Sequence, residues 1–186
     1  MHLILASASP RRAELLQSAG FEFAIAPANV DETPLNGEVA AGYTVRVARD
    51  KAGHIARARR ETDAVVLAAD TDVVIDGEIL GKPGDPDDAR RMLRRLSGRA
   101  HDVLTAVVLT GGGREAEEVV TTRVWFAPLT ERDIEWYVAS GEPMGKAGAY
   151  AIQGLGARFI DRIDGSWSNV VGLPIATLHR LWGEVQ

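Results

Sequence analysis

The stretch that decides the fold is HLILASASPRRAELLQSAG, residues 2–20. Its first residues, 2–6, form an apolar run that predicts a buried strand. Ser9 is a good N-cap, Pro10 suits the first helical position and Gly20 suits a helix stop, so a helix follows at once. A strand that leads directly into a helix is typical of α/β proteins.

The rest of the chain continues this alternation. Further strands are predicted at 21–26, 64–69 and 158–163, hairpins at 73–80 and 101–127, and helices at 38–60, 86–96, 130–141 and 174–182. Because hairpins accompany the alternating strands and helices, we expect a mixed sheet rather than a purely parallel one. The sequence contains no internal repeat or linker, so we predict a single domain over residues 1–186.

Composition excludes several classes of protein. The chain has 186 residues, a formal net charge of −5 and no cysteine. Disulfides, zinc–thiolate sites, iron–sulfur clusters and cysteine nucleophiles are therefore excluded. No apolar run approaches the ~20 residues of a membrane span, and no basic stretch precedes the first one. The acidic total argues against binding to a nucleic acid polymer. We predict a cytoplasmic protein with no membrane partner.

Three polar side chains where the first strand leads into the first helix suit phosphate. Free N–H groups at a helix start favour an anion, the Ser7 hydroxyl can donate to it, and Arg11 and Arg12 can grip its oxygens. The same pattern also fits a capped helix with solvated arginines, so it leaves both interpretations open.

Carboxylates form the second candidate group. Asp70 follows the apolar strand 64–69, and open α/β sheets bind ligands at the carboxyl ends of strands. Its carboxylate could hold a metal or activate water, or it could simply form a turn. Asp31 and Glu32 offer another pair on a loop. Magnesium takes one or two carboxylates with phosphate oxygens, so Glu32 and Asp70 would suffice.

Lysine is rare in this chain, since only Lys51, Lys82 and Lys146 occur among 21 basic residues. Lys82 and Lys146 lie in glycine-bearing loops, where a compact ammonium beside flexible backbone suits a triphosphate. Lys51 is expected within a helix. Codon bias with solvated surface lysines explains the same count, so the residues alone do not decide between the two.

Eight segments form an ordered set along nearly the whole chain. They are ASASPRR (6–12), DE (31–32), KA (51–52), ADT (69–71), GKP (81–83), LSGR (96–99), KAGAYAIQG (146–154) and NVVGLP (169–174). Together they resemble the Maf family of nucleoside triphosphate pyrophosphatases. The chain departs from the family's usual pattern at Gly145, where Asp is usual, and at Asp72, where an apolar residue is common.

This resemblance implies an elongated mixed sheet flanked by helices, with two lobes and a cleft, similar to the inosine triphosphate pyrophosphatases. It implies hydrolysis of a nucleoside triphosphate to the monophosphate and pyrophosphate with a divalent metal, Mg²⁺ or Mn²⁺. Asp70 would be the proton acceptor and, with Glu32, a metal ligand. The phosphate-binding residues would be Ser7, Arg11, Lys51, Lys82 and Lys146. All three lysines fall within the matching segments, which favours retained phosphate ligands over codon bias.

Arg12, Thr71 and Gln153 match the positions associated with the family's dTTP/UTP subgroup. The Gln153 amide offers both a donor and an acceptor, which suits the O4/N3 edge of thymine or uracil. The alternatives are the same chemistry on 7-methyl-GTP or modified pyrimidine triphosphates, and a nucleotide-binding regulator of septum formation without catalysis. Family habit also makes a homodimer an expectation.

Overall fold

A computed structural model describes residues 2–59 and 63–185. Within them the strands are β1 (His2–Leu5), β2 (Phe23–Ile25), β3 (Ala64–Ile75), β4 (Glu78–Leu80), β5 (Ala100–Gly111), β6 (Arg114–Phe126) and β7 (Ile160–Asp164). The α-helices are α1 (Pro10–Ser18), α2 (Ala40–Ala58), α3 (Pro86–Leu96), α4 (Glu131–Ala139), α5 (Trp167–Val171) and α6 (Ile175–Val185). Two short 3₁₀ helices span Ala147–Ala149 and Leu155–Phe159.

The strands form one sheet in the order β2-β1-β3-β5-β6-β7, with β4 paired to β3. β1 runs parallel to both β2 and β3. β4 and β7 run antiparallel to their partners β3 and β6. The mixed α/β sheet that the sequence predicts is therefore confirmed.

β3 is longer than the sequence predicts. The predicted strand end at Ala69 is wrong, because Ala64–Ile75 is one continuous strand. Asp70 and Thr71 consequently lie within the strand and not beyond its carboxyl end. The hairpin predicted over 73–80 is confirmed, since Val73 pairs with Leu80 of β4. β3 lies between β1 and β5 in the sheet and is buried along most of its length. The short polar interruption does not end the strand, because β3 pairs with β4 beyond it, from Val73 to Ile75.

The first of two compact units comprises Met1–Thr71, Thr105–Val120 and Gly172–Gln186. Its strands alternate between two apolar clusters. Leu3 and Leu5 of β1 share one cluster with residues of α1 and α6, whereas Ile4 of the same strand joins α2 in the other. Because successive strand residues point to opposite faces, this unit has helices on both faces of its sheet.

The second compact unit comprises Asp72–Leu104 and Thr121–Val171. A single apolar cluster holds it together, with Leu93 of α3 and Ile134 and Tyr137 of α4 among its fully buried members. Phe126 and Tyr150 meet edge to face there, with ring centroids 4.9 Å apart. α3 and α4 therefore bury their apolar stripes against the same strands.

Two predicted helix starts are confirmed. Asp85 accepts a hydrogen bond from the Asp88 N–H at 2.8 Å, and Thr130 forms a reciprocal capping box with Asp133. Each bond satisfies a backbone donor that the helix cannot. Ser9 occupies the predicted N-cap position of α1 and the helix begins at Pro10 as predicted, but the Ser9 side chain makes no capping bond.

Other boundaries shift by a few residues. The helix predicted over 38–60 spans Ala40–Ala58, and its predicted last residue, Arg60, lies outside the described residues. The strand predicted over 158–163 begins only at Ile160, after a 3₁₀ helix. No helix in the described residues is both long and apolar enough to span a membrane. A single domain over residues 1–186 stays a prediction.

Candidate functional site

Lys51 brings two carboxylates together in the first unit. It lies on the face of α2 that packs against the sheet, beside Ala52, and only 8% of its surface is exposed. Its Nζ is 2.7 Å from Glu32 Oε1 and 2.7 Å from Asp70 Oδ1. Charge-assisted contacts of this length are strong, so one ammonium joins a loop, a helix and a strand.

The loop that carries Glu32 is tied to α2 by further bonds. Tyr43 Oη donates to the Glu32 carbonyl at 2.8 Å, and Arg46 donates to the Thr33 carbonyl at 3.1 Å. Arg46 also binds both oxygens of Glu38, at 2.7 and 2.8 Å. That guanidinium lowers the pKa of Glu38 to about 2. Side chains of one helix therefore hold the backbone on which Glu32 sits.

Asp31 and Glu32 are adjacent but have different surroundings. Asp31 Oδ1 accepts a hydrogen bond from the Thr33 N–H at 2.9 Å, which is a turn contact. Hydrogen bonds from Thr33 lower the pKa of Asp31. Only Glu32 of the pair reaches Lys51. Asp31 shapes the loop, and Glu32 supplies the carboxylate.

Arg12 is the centre of a second cluster in the same unit. It is only 8% exposed. Its Nε donates to the Gly172 carbonyl at 2.8 Å, its Nη1 to Ser7 Oγ at 3.1 Å and its Nη2 to Thr71 Oγ1 at 2.9 Å. Three residues that the sequence predicted for the site, Ser7, Arg12 and Thr71, therefore lie together.

Sequence reasoning did not single out two members of this cluster. Thr105 is fully buried, and its Oγ1 lies 3.0 Å from Thr71 Oγ1. Gly172 has φ +126, a conformation that L side chains rarely adopt. Gly172 falls in the matching segment 169–174, which was a usable signal. Thr105 gave none, because it sits inside an apolar strand whose pattern predicts only burial.

The second unit holds other predicted residues. Lys82 is exposed in the loop after β4, and Lys146 is half-buried just before the 3₁₀ helix Ala147–Ala149. The Gly148 N–H donates to the Gly81 carbonyl at 3.1 Å, so the two lysine-bearing loops are joined through their backbones. Elsewhere in this unit Gln153 is exposed, between the two 3₁₀ helices. In the first unit, Arg11 is half-buried one residue before Arg12 on α1.

The donor set around Lys51 fits a hard divalent cation. Glu32 Oε1 and Asp70 Oδ1 already contact one cationic group, so they lie no more than twice 2.7 Å, about 5.4 Å, apart. Within residues 2–59 and 63–185 no group of three or more His, Cys, Asp or Glu is placed to hold a metal. Two carboxylates completed by phosphate oxygens and water are the ligands that Mg²⁺ commonly takes.

Apart from Thr105, the residues of both clusters lie in segments on which the family resemblance rests, and the sheet is mixed as predicted. The chain matches the family model described as Maf-like protein over residues 2–185, and it belongs to that family.

Curated relatives are similar over nearly the same span. One is a dTTP/UTP pyrophosphatase of Anaeromyxobacter sp. (strain Fw109-5), 54% identical over 94% of this chain and 84% of the relative. Another is a dTTP/UTP pyrophosphatase of Myxococcus xanthus (strain DK1622), 53% identical over 93% of this chain and 87% of the relative. Among solved structures, the Staphylococcus aureus Ham1 protein matches with a TM-score of 0.50 at 15% identity, over 68% of this chain and 72% of that one. This last likeness concerns the fold alone.

Proposed function

We propose that this protein hydrolyses nucleoside triphosphates, with dTTP and UTP preferred, to the monophosphate and pyrophosphate. The observation that carries the proposal is the buried ammonium of Lys51 between the carboxylates of Glu32 and Asp70. The names of the relatives support the substrate class. Phosphoryl transfer depends mainly on positioned charged groups, and this cluster supplies one cationic and two anionic groups.

Asp70 is the proposed proton acceptor. Lys51 engages its Oδ1, and in the described part of the chain no donor reaches its Oδ2. A water that attacks the α-phosphorus would lose its proton to this carboxylate. The bond from the α-phosphorus to the bridging oxygen breaks, and that oxygen leaves with the pyrophosphate. Lys51 keeps the carboxylate oriented during the proton transfer.

Glu32 and Asp70 are also the proposed ligands of a divalent metal, Mg²⁺ or Mn²⁺. Such an ion supplies positive charge that offsets the charge of the phosphates. The proposed phosphate ligands are Ser7, Arg11, Lys51, Lys82 and Lys146. Lys82 and Lys146 come from two loops of the second unit that are joined by the hydrogen bond from the Gly148 N–H to the Gly81 carbonyl.

Arg12, Thr71 and Gln153 are the proposed determinants of base preference. Arg12 donates a hydrogen bond to Thr71, whereas the Gln153 amide is exposed and presents a donor and an acceptor. We further infer a free nucleotide substrate rather than a nucleic acid polymer, since the net charge is −5. A cytoplasmic location and a homodimer remain part of the proposal.

The test is Asp70→Asn in a panel of nucleotides with Mg²⁺, with pyrophosphate and orthophosphate measured separately. Asparagine keeps the shape and an acceptor for Lys51 but cannot take the proton, so kcat on UTP and dTTP should fall at least about 100-fold. Asp50→Asn is the matched control, because Asp50 is an exposed neighbour on α2. Near-normal turnover by Asp70→Asn refutes its role, and orthophosphate as the product refutes attack at the α-phosphorus. A wild-type protein that binds these nucleotides but hydrolyses none, or that prefers 7-methyl-GTP, supports an alternative instead.

A further inference from the structure

Gln153 lies in a short turn, residues 151–156, that contains the pattern Gly154-Leu155-Gly156. This pattern does not open a helix after a strand, so it is not a dinucleotide-binding fingerprint. The turn's last two residues begin the 3₁₀ helix Leu155–Phe159. Its glycines and its contacts with α4 therefore call for another explanation.

The Glu142 carboxylate accepts hydrogen bonds from the backbone on the C-terminal side of Gln153. Glu142 Oε2 accepts from the Leu155 N–H at 2.9 Å, and Glu142 Oε1 accepts from the Gly156 N–H at 3.0 Å. Glu142 is half-buried just beyond α4. Two adjacent backbone N–H groups therefore make charge-assisted hydrogen bonds to one carboxylate.

The Tyr137 hydroxyl accepts a hydrogen bond from the backbone on the N-terminal side of Gln153. Tyr137 Oη accepts from the Ala151 N–H at 3.1 Å and donates to Glu142 Oε1 at 2.8 Å. Tyr137 is fully buried in the core of the second unit. The two side chains are thus bonded to each other and to the chain on both sides of Gln153, while Gln153 itself stays exposed.

These hydrogen bonds to Glu142 and Tyr137 require glycine at positions 154 and 156. A Cβ built at Gly154 would fall on the Glu142 carboxylate. A Cβ built at Gly156 would lie 2.7 Å from Tyr137 Oη and 2.8 Å from the Ala151 carbonyl oxygen. Side chains at either position would push the backbone out of hydrogen-bonding range. The pattern is therefore explained by close approach to Glu142 and Tyr137.

The carboxylate is ionised at neutral pH. Burial acts to raise the pKa of Glu142, but the N–H groups of Leu155 and Gly156, the Tyr137 hydroxyl and the charge of Lys146 outweigh it, and the pKa is lowered. An ionised carboxylate accepts from all three donors at once, which a neutral amide at this position cannot do.

We propose that Tyr137 and Glu142 are positioning residues that fix the 151–156 turn, and that this fixed turn sets selectivity for uracil and thymine over cytosine. The inference rests on the proposed function, in which Gln153 contacts the base. Uracil presents N3–H and O4, whereas cytosine presents N3 and an amino group. A hydrogen-bonding site rejects the wrong edge only when its donor and acceptor are held in place, because a mobile group adjusts to either.

The first arm of the test is hydrogen–deuterium exchange of the turn without nucleotide. The variants are Glu142→Gln, which turns one acceptor oxygen into a donor facing a backbone N–H, and Tyr137→Phe, which removes only the hydroxyl. Glu135→Gln is the matched control, since Glu135 is an exposed residue of α4 paired with Arg90. The amides of Ala151, Leu155 and Gly156 should exchange at least roughly tenfold faster in the two variants and not in the control.

The second arm compares UTP with CTP. KM for UTP should rise roughly tenfold with kcat within about twofold, and the UTP-to-CTP ratio of kcat/KM should fall roughly tenfold, because base contacts act on binding. A variant that merely lost stability would lower activity on both nucleotides and leave the ratio unchanged.

Unchanged exchange in both variants overturns the proposal, and so does faster exchange with an unaltered UTP-to-CTP ratio. Should the wild-type protein hydrolyse neither UTP nor dTTP, the proposed function fails and the selectivity claim fails with it. The exchange arm needs no substrate, so it still reports whether Tyr137 and Glu142 hold the turn.

Discussion

Lys51→Met removes the ammonium that Glu32 and Asp70 share. Methionine has a similar length and helix propensity, so α2 itself is little affected. The two carboxylate oxygens, each 2.7 Å from Nζ, lie at most about 5.4 Å apart. Two like charges at that distance repel by about 3 kcal/mol at an effective dielectric constant of ~20 and by about 0.8 kcal/mol in water.

The Glu32 side chain is 41% exposed, which moves the repulsion toward the aqueous value. Asp70 is buried and also loses a charge-assisted hydrogen bond. We therefore expect the free energy of unfolding to fall by about 2 kcal/mol at pH 7.

Urea denaturation of the wild type and Lys51→Met at pH 7 measures this loss. Arg57→Met is the control, since Arg57 is a cation in the last turn of the same helix. The variant should also gain more thermal stability from Mg²⁺ than the wild type does, because its carboxylate pair has lost the resident cation. Equal free energies of unfolding for the wild type and Lys51→Met at pH 7 refute the reasoning.

Three further predictions concern other parts of the chain. Burial lowers the pKa of His101 to about 4. The folded state therefore binds fewer protons than the unfolded one, and the free energy of unfolding falls as pH drops from about 6.5 toward 4. Urea denaturation should show a loss of about 2 kcal/mol by pH 5, and His101→Gln should lack this loss. Gly148→Ala places a Cβ 2.8 Å from a Val73 methyl at φ +67, whereas Gly145→Ala meets nothing within 4 Å at φ +71. In urea and thermal denaturation, Gly148→Ala should lose about 3 kcal/mol of stability and Gly145→Ala about 1 kcal/mol. Equal losses would contradict the clash. Lys82→Arg should lower kcat/KM on UTP about tenfold if a compact ammonium is required, and full activity would return the scarcity of lysine to codon bias.

Local rules predicted much of the fold. Asp85 and Thr130 begin their helices as expected, since a cap depends only on the next three residues. The local rules failed at β3, because the length of a strand depends on its pairing with other strands. The sequence predicts the end of a strand at Asp70 and Thr71, yet β3 continues through them and pairs with β4 from Val73 onward.

The candidate site was predicted in its residues but not in their contacts. Lys51 was expected to meet phosphate, and the structure pairs it with Glu32 and Asp70. Nothing in the spacing of a loop, a helix and a strand reveals that pairing. Thr105 had no signal either, because a threonine inside an apolar strand looks the same whether or not it contacts a functional residue.

The sequence by itself determined the strand-to-helix opening, the mixed α/β class and the family, because these depend on neighbouring residues and on ordered motifs. Tertiary structure alone decided which charges meet. Lys51 and Asp70 are 19 positions apart, and Arg12 and Gly172 are 160 apart. Such contacts form only after the chain has packed, since burial then makes each charged or polar group find a partner.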